Sequence, residues 1–163
     1  MKKIKFVAFI ILGVILLQIV MPSIADMDWN FVFAEDTNTW DISPNGDGSV
    51  MATLSEDGTL TISGNGEMKE YGNSSYVPWY NNRDNIKKVI INNGVTSIGY
   101  GAFHGCTNLT NITIPESVTS IENSVFEGCT FLTNITIPAS VTEIGETSFS
   151  GCDSLTIWCK YNS

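Results

Sequence analysis

Few side chains in this sequence have the types and spacing for chemistry. Cys106, Cys129 and Cys152 stand at intervals of 23 residues, with Cys159 outside that period. His104 is the only histidine, and Glu116, Glu122, Glu127, Glu143 and Glu146 are scattered through the same region. If the chain is exported, four cysteines invite a disulfide framework with three possible connectivities. Identical positions on neighbouring turns of a repeat point the same way, however, and stay about 4.8 Å apart. A disulfide wants about 3.5–4.5 Å between its Cβ atoms. Buried thiols acting as small apolar fillers are the expectation, with one disulfide as the alternative. Zinc would want CxxC or His-x-x-x-His spacings, and neither is present.

His104 has no partner at a spacing that defines a nucleophile–base pair. Its counterparts at the same interval are Glu127 and Ser150, so it reads as a tolerant outward position. The glutamates could suggest the paired carboxylates of glycoside hydrolysis, but outward positions that water solvates explain them as well. Ser43-Pro44-Asn45-Gly46-Asp47-Gly48 partly follows a calcium loop, yet Leu54 stands where a bidentate glutamate is needed. An ordinary turn is expected there. No catalysis, cofactor or metal is predicted.

What must position these residues is a repeat. Leu109–Phe131 and Leu132–Ser154 follow each other without a gap and match at 14 of 23 positions. Ile86–Asn108 is a looser copy, and Leu155 opens a partial fourth running to Ser163. Within each block Val89, Ile112 and Ile135, then Ile91, Ile114 and Ile137, alternate with polar residues, which puts one face in and one out. Pro115 and Pro138 end those strands, because proline has no ladder donor. Val95, Val118 and Val141, then Ile98, Ile121 and Ile144, continue the interior, and Phe103, Phe126 and Phe149 form a third stack. Each Phe stabilises by roughly 1.5–3 kcal/mol on burial. A period of 20 to 29 residues with leucine and isoleucine at fixed offsets reads as a leucine-rich-repeat solenoid. Asn92-Asn93-Gly94 replaces the Ile-Pro-x-Ser of the later copies, so the first turn is expected to differ. The fourth copy has lost one residue, which would set Ile157 and Cys159 where Ile112 and Ile114 sit.

The pattern L-T-x-I-T-I-P-x-S-V-T-x-I-x-x-x-x-F-x-G-C resembles the BspA-type, or Treponema-type, leucine-rich repeats of bacterial surface and secreted proteins. The resemblance runs from Ile86 to about Cys159. Asp57-Gly58-Thr59-Leu60-Thr61-Ile62-Ser63-Gly64, with Gly66, Met68 and Pro78-Trp79 after it, is similar to the lead-in found before such repeats. The resemblance implies a right-handed β-solenoid, here of about 3.5 rungs, whose sheet and variable loops bind proteins or host surfaces. It implies no catalytic residues.

The flanks complete the reading. Met1–Lys5 is basic, Phe6–Met21 is an apolar run, and small residues follow at Ser23, Ala25 and Ala34. This is the three-part pattern of a secretory signal peptide, with cleavage after Ala25 or Ala34; an uncleaved anchor is the alternative. Residues 1–34 are therefore assigned to signal and leader, 35–85 to an N-terminal β-hairpin cap with an aromatic lead-in, and 86–163 to the repeats (86–108, 109–131, 132–154 and partial 155–163). In the cap, Asp57-Gly58 between alternating runs signals a tight hairpin with both central residues at φ > 0. Tyr71, Tyr76, Trp79 and Tyr80 are read as packing aromatics, and an atypical first unit covers the open end of a solenoid.

The formal charge is −9. From Asp26 onward 17 acids face five bases, Lys69, Arg83, Lys87, Lys88 and Lys160. That excludes nucleic acid, where affinity comes from neutralising phosphates, and argues against anionic lipid. No membrane insertion is expected after signal removal, and the product is placed outside the cell or on its surface. The candidate ligand-contact surface is the strand column Lys88, Asn111 and Asn134 with Ile90, Thr113 and Thr136, together with Tyr100, His104, Glu127 and Glu146, where the rungs differ most. The expected partner is a protein or a glycan. The alternative is an assembly piece or a truncated copy of a larger surface protein, with end-to-end self-association through the last rung.

Overall fold

A computed structural model describes residues 38–160. The signal peptide and leader expected over 1–34, and the last three residues of the partial repeat, lie outside the described residues. The described chain opens as a meander of β1 (Asn38–Asp41), β2 (Val50–Leu54) and β3 (Thr59–Gly64), paired antiparallel with Thr39 beside Thr53 and Thr53 beside Thr61. The period-2 pattern sends Val50, Ala52, Leu54, Leu60 and Ile62 inward, and all five are buried.

The β2–β3 turn departs from the tight hairpin expected at Asp57-Gly58. Its loop holds four residues, and Gly58 (φ 85) is the one that takes a left-handed backbone. Asp57 shapes the turn with its carboxylate instead, accepting from the Thr59 N–H at 2.9 Å and the Ser55 hydroxyl at 2.6 Å. Gly58 is held to glycine twice over, since a Cβ there would lie 2.4 Å from the Asn85 carbonyl oxygen.

Two short 3-10 turns, Ser74–Tyr76 and Tyr80–Asn85, lead into the repeats. Each rung then contributes two strands: β4 (Lys88–Ile91) and β5 (Ser97–Ile98), β6 (Asn111–Thr113) and β7 (Ser120–Ile121), β8 (Asn134–Ile137) and β9 (Glu143–Ile144), with β10 (Thr156–Cys159) opening the fourth. The meander and the rungs share a sheet, because β3 pairs in parallel with β4, and β4 with β6. β8 lies beside β6 and pairs in parallel with β10. The short strands β5, β7 and β9 form a second parallel sheet. Lys88 aligns with Asn111 and Ser97 with Ser120, so the 23-residue period of the sequence is the register of the sheets.

The fourth rung slips by one. Thr156 donates its N–H to the Thr133 carbonyl at 2.8 Å and stands beside Asn134, which brings Ile157 level with Ile135 and Cys159 level with Ile137. The alignment is the expected one, but the burial is not: Ile157 and Cys159 stand at inward positions yet are exposed, because no described rung lies beyond them, while Trp158 is exposed at an outward position. Ile144 on β9 is exposed for the same reason. The first-rung turn differs, as expected, in one respect only. Val95 N–H reaches Asn92 O as Val118 reaches Pro115 O and Val141 reaches Pro138 O, so the turn closes in the same way; what differs is Gly94 in a left-handed backbone (φ 106).

An aromatic column runs along the interior. Phe103 and Phe126 stack at 5.6 Å between centroids, and Phe126 and Phe149 at 5.4 Å. Trp79 extends the column at 6.3 Å from Phe103, and Trp40 of β1 follows at 5.9 Å. The buried Trp79 indole N–H donates to Ala102 O at 2.8 Å, which removes the penalty of hiding a donor.

Candidate functional site

The strand face follows from the alternation that builds the core. In β4 and β8 the inward positions Val89, Ile91, Ile135 and Ile137 are buried, and this turns Lys88, Asn134 and Thr136 to solvent, with Ile90 half-buried. In β6, Asn111 and Thr113 are exposed. Register aligns Lys88 with Asn111 and Ile90 with Thr113, and the neighbouring β8, which is not paired with β6, continues the two columns with Asn134 and Thr136. Successive strands lie about 4.8 Å apart.

The remaining predicted residues belong to other segments of the rung. Tyr100 and Glu146 follow the second sheet, Tyr100 half-buried with its N–H donated to Glu70 Oε2 at 3.2 Å, and Glu146 exposed. His104 and Glu127 lie further on, both half-buried. His104 departs from the outward position expected of it: Nδ1 is enclosed and has no hydrogen-bond partner among the described residues. Sequence reasoning missed two residues on the strand face. Trp158 stands beside Thr136, and Thr61 beside Ile90. The one-residue slip of the fourth rung was the signal that could have placed Trp158 in the column.

Polar side chains elsewhere on the rungs are committed to the scaffold. Ser117 and Ser140 donate to Val95 O (2.8 Å) and Val118 O (2.7 Å), one rung back. Thr110, Thr119 and Thr142 do the same to Lys87, Thr96 and Thr119. Ser148 reaches Glu122 O at 2.7 Å. These bonds tie rung to rung where strand pairing is absent.

The cysteines are free thiols. Cys129 Sγ donates to Phe103 O at 3.1 Å and Cys152 Sγ to Phe126 O at 3.0 Å, so the thiol column also links successive rungs. Burial pushes the Cys106 thiol up to about 12 and raises Cys129 and Cys152 as well, which removes thiolate reactivity. Cys159 is the exposed one.

The loop after β1 is organised by Asp41. Its carboxylate accepts from the Ser43 N–H (2.9 Å), from the Ser43 hydroxyl and from the Gly48 N–H (2.9 Å). These bonds, the Ser43 hydroxyl first, hold its carboxyl below the usual range, and Ser49 and Ser55 do the same for Asp47 and Asp57. Glu70 is raised, mainly by burial and further by Glu122 and Glu67. Among the described residues, no three His, Cys, Asp or Glu side chains gather as a metal centre needs.

Residues 77–161 match the family described as BspA type leucine-rich repeat region (6 copies). The chain belongs to the BspA-type leucine-rich repeat proteins. A solved leucine-rich repeat protein from Eubacterium ventriosum is 28% identical to this BspA-type chain over 76% of its length, with a TM-score of 0.53; the match spans 44% of that protein. A leucine-rich repeat protein from Bacteroides capillosus matches 75% of this chain and 98% of its own at 23% identity and a TM-score of 0.47. No curated protein matches significantly.

Proposed function

We propose that this BspA-type chain is an exported, non-catalytic scaffold that binds a protein or a glycan at the cell surface or outside the cell. The observation that carries the reading is the division of labour within each rung. Inward positions repeat almost unchanged, while outward ones change from Lys88 to Asn111, Tyr100 to Glu146, and His104 to Glu127. A rigid frame with free outward side chains is the arrangement of a binding surface. Export rests on the basic, apolar and small-residue segments of the N-terminus, and N-terminal sequencing of secreted protein decides between cleavage after Ala25 and after Ala34. The contact residues proposed are the strand columns with Tyr100, His104, Glu127 and Glu146. Replacing Asn111, Asn134, Glu127 and Glu146 together with lysine is expected to abolish binding and leave the melting temperature in place; loss of both at once overturns the assignment.

A second reading is favoured by the exposed Ile144, Ile157 and Trp158 of the last described rungs. In this reading the chain assembles end to end, or is one part of a longer surface protein. Light scattering across a concentration series tests it. A ladder of oligomers favours assembly, and a monomer at high concentration rejects end-to-end assembly.

A further inference from the structure

Three features of the strand face point to a ligand chemistry. First, the face is nearly uncharged in a chain of net charge −9. The outward positions of β3, β4, β6, β8 and β10 carry hydroxyls, amides, Ile90 and Trp158, with Lys88 as their one charged side chain. A charged partner would be steered and held by complementary charge, and this face offers almost none. Second, most of its polar groups are unused, Asn134 (to Thr133 Oγ1 at 3.2 Å) and Thr59 (to Asp57 at 3.1 Å) being the exceptions. No hydrogen bond within the described residues engages the side chains of Thr61, Asn111, Thr113 or Thr136, whereas the serines and threonines of the other segments are bonded to carbonyls one rung back. Third, the row Thr61, Ile90 and Thr113, followed by Thr136 on the neighbouring β8, ends at Trp158, which is 63% exposed. An indole left largely in solvent presents an apolar ring with a polar edge.

We propose that this face binds an uncharged polysaccharide laid across the rungs, with Trp158 as the platform for one sugar ring. The proposal rests on the binding reading above and names its ligand. The apolar C–H face of one pyranose packs on the indole, and the equatorial hydroxyls of this ring and of those that follow it meet the Asn134 and Thr136, then the Asn111 and Thr113, side chains. Those groups offer both donors and acceptors, as a sugar hydroxyl requires. Strands about 4.8 Å apart are close to the advance per ring of an extended pyranose chain, so successive rungs can address successive sugars.

Affinity electrophoresis of the purified protein through gels holding hydroxyethylcellulose, galactomannan or soluble starch tests this. Immobilised plasma proteins serve as the parallel probe. Wild type is expected to be retarded by at least one neutral glycan, with retardation weakened about tenfold or more by Trp158→Ala, an aromatic anchor lost, and also by Thr136→Arg, which leaves Trp158 in place. Circular-dichroism melts of both variants should match wild type. Retardation that survives both variants overturns the proposal. Binding to a plasma protein that Thr136→Arg abolishes, without glycan retardation, overturns the glycan and leaves the binding reading standing. Absence of both kinds of binding overturns the two together.

Discussion

Gly101, Ser124 and Thr147 occupy the same place on successive rungs, and all three take a left-handed backbone at φ 58, 56 and 57. The two residues with side chains hold it with a hydroxyl pair, Ser124 Oγ to Thr147 Oγ1 at 2.8 Å. Gly101 has no such help, and a Cβ on it would lie 2.8 Å from Ser74 Cβ. Gly101→Ala is expected to lower stability by about 1–2 kcal/mol, read as a shift of the urea midpoint at unchanged slope. The thiols give the molecule an alkaline limit. Cys106 keeps its proton in the folded state to about 12, while an unfolded cysteine releases it near 8.5. The stabilisation is therefore complete below about pH 8.5 and is lost as pH climbs from there toward the folded value. Urea melts between pH 7 and 10.5 should show that decline, and Cys106→Ala should flatten part of it. Asp41, Asp47 and Asp57 act at the other end. Their folded values are depressed, so their contribution is present above about pH 3.9 and disappears as pH falls through the lower folded values; Asp41→Asn should soften that acid limb. Sequence alone could not assign the Asp41 role, because its partners, Ser43 and Gly48, are fixed by a loop conformation and not by a pattern.

At the level of the element, the rungs were legible because their signal is periodic. Alternating Ile and Val positions, proline stops and stacked phenylalanines each carry a local physical reason, and β4 and β6, like β5, β7 and β9, appear in the register the repeat dictates. The turn at Asp57-Gly58 was not legible in detail, since one carboxylate replaced the second left-handed residue. The column's extension to Trp79 and Trp40 also escaped, because it joins residues far apart in sequence with no shared period. Of the candidate site, the strand columns were readable from alternation, whereas Trp158 depended on where a missing residue fell. Phe126 sits between Phe103 and Phe149 and is fully buried. Phe126→Ala is expected to cost about 3–5 kcal/mol by denaturant melting. Its combination with Phe103→Ala should fall short of the sum, since the two rings touch.

For the whole molecule, the meander and the rungs form one stack in which each layer holds the next. Stability in such a stack is the sum of unit terms and nearest-neighbour terms, so losses at the exposed last rung should matter less than losses in the middle. Ile157→Ser is expected to change the melting temperature far less than Ile112→Ser, its counterpart two rungs earlier. An equal effect would mean that another surface covers Ile157 in solution.

The rung-to-rung bonds join like position to like position: Thr119 to Thr96, Thr142 to Thr119, Ser140 to Val118 after Ser117 to Val95. Excising residues 109–131 as a block would bring Asn108 to Leu132 and re-form those bonds between the same kinds of atom. The result would be the same protein, shorter by one strand spacing of about 4.8 Å. A gene encoding it can therefore gain or lose length by slippage in whole quanta of one block, which makes the distance from the meander to the far end a ruler graduated by duplication.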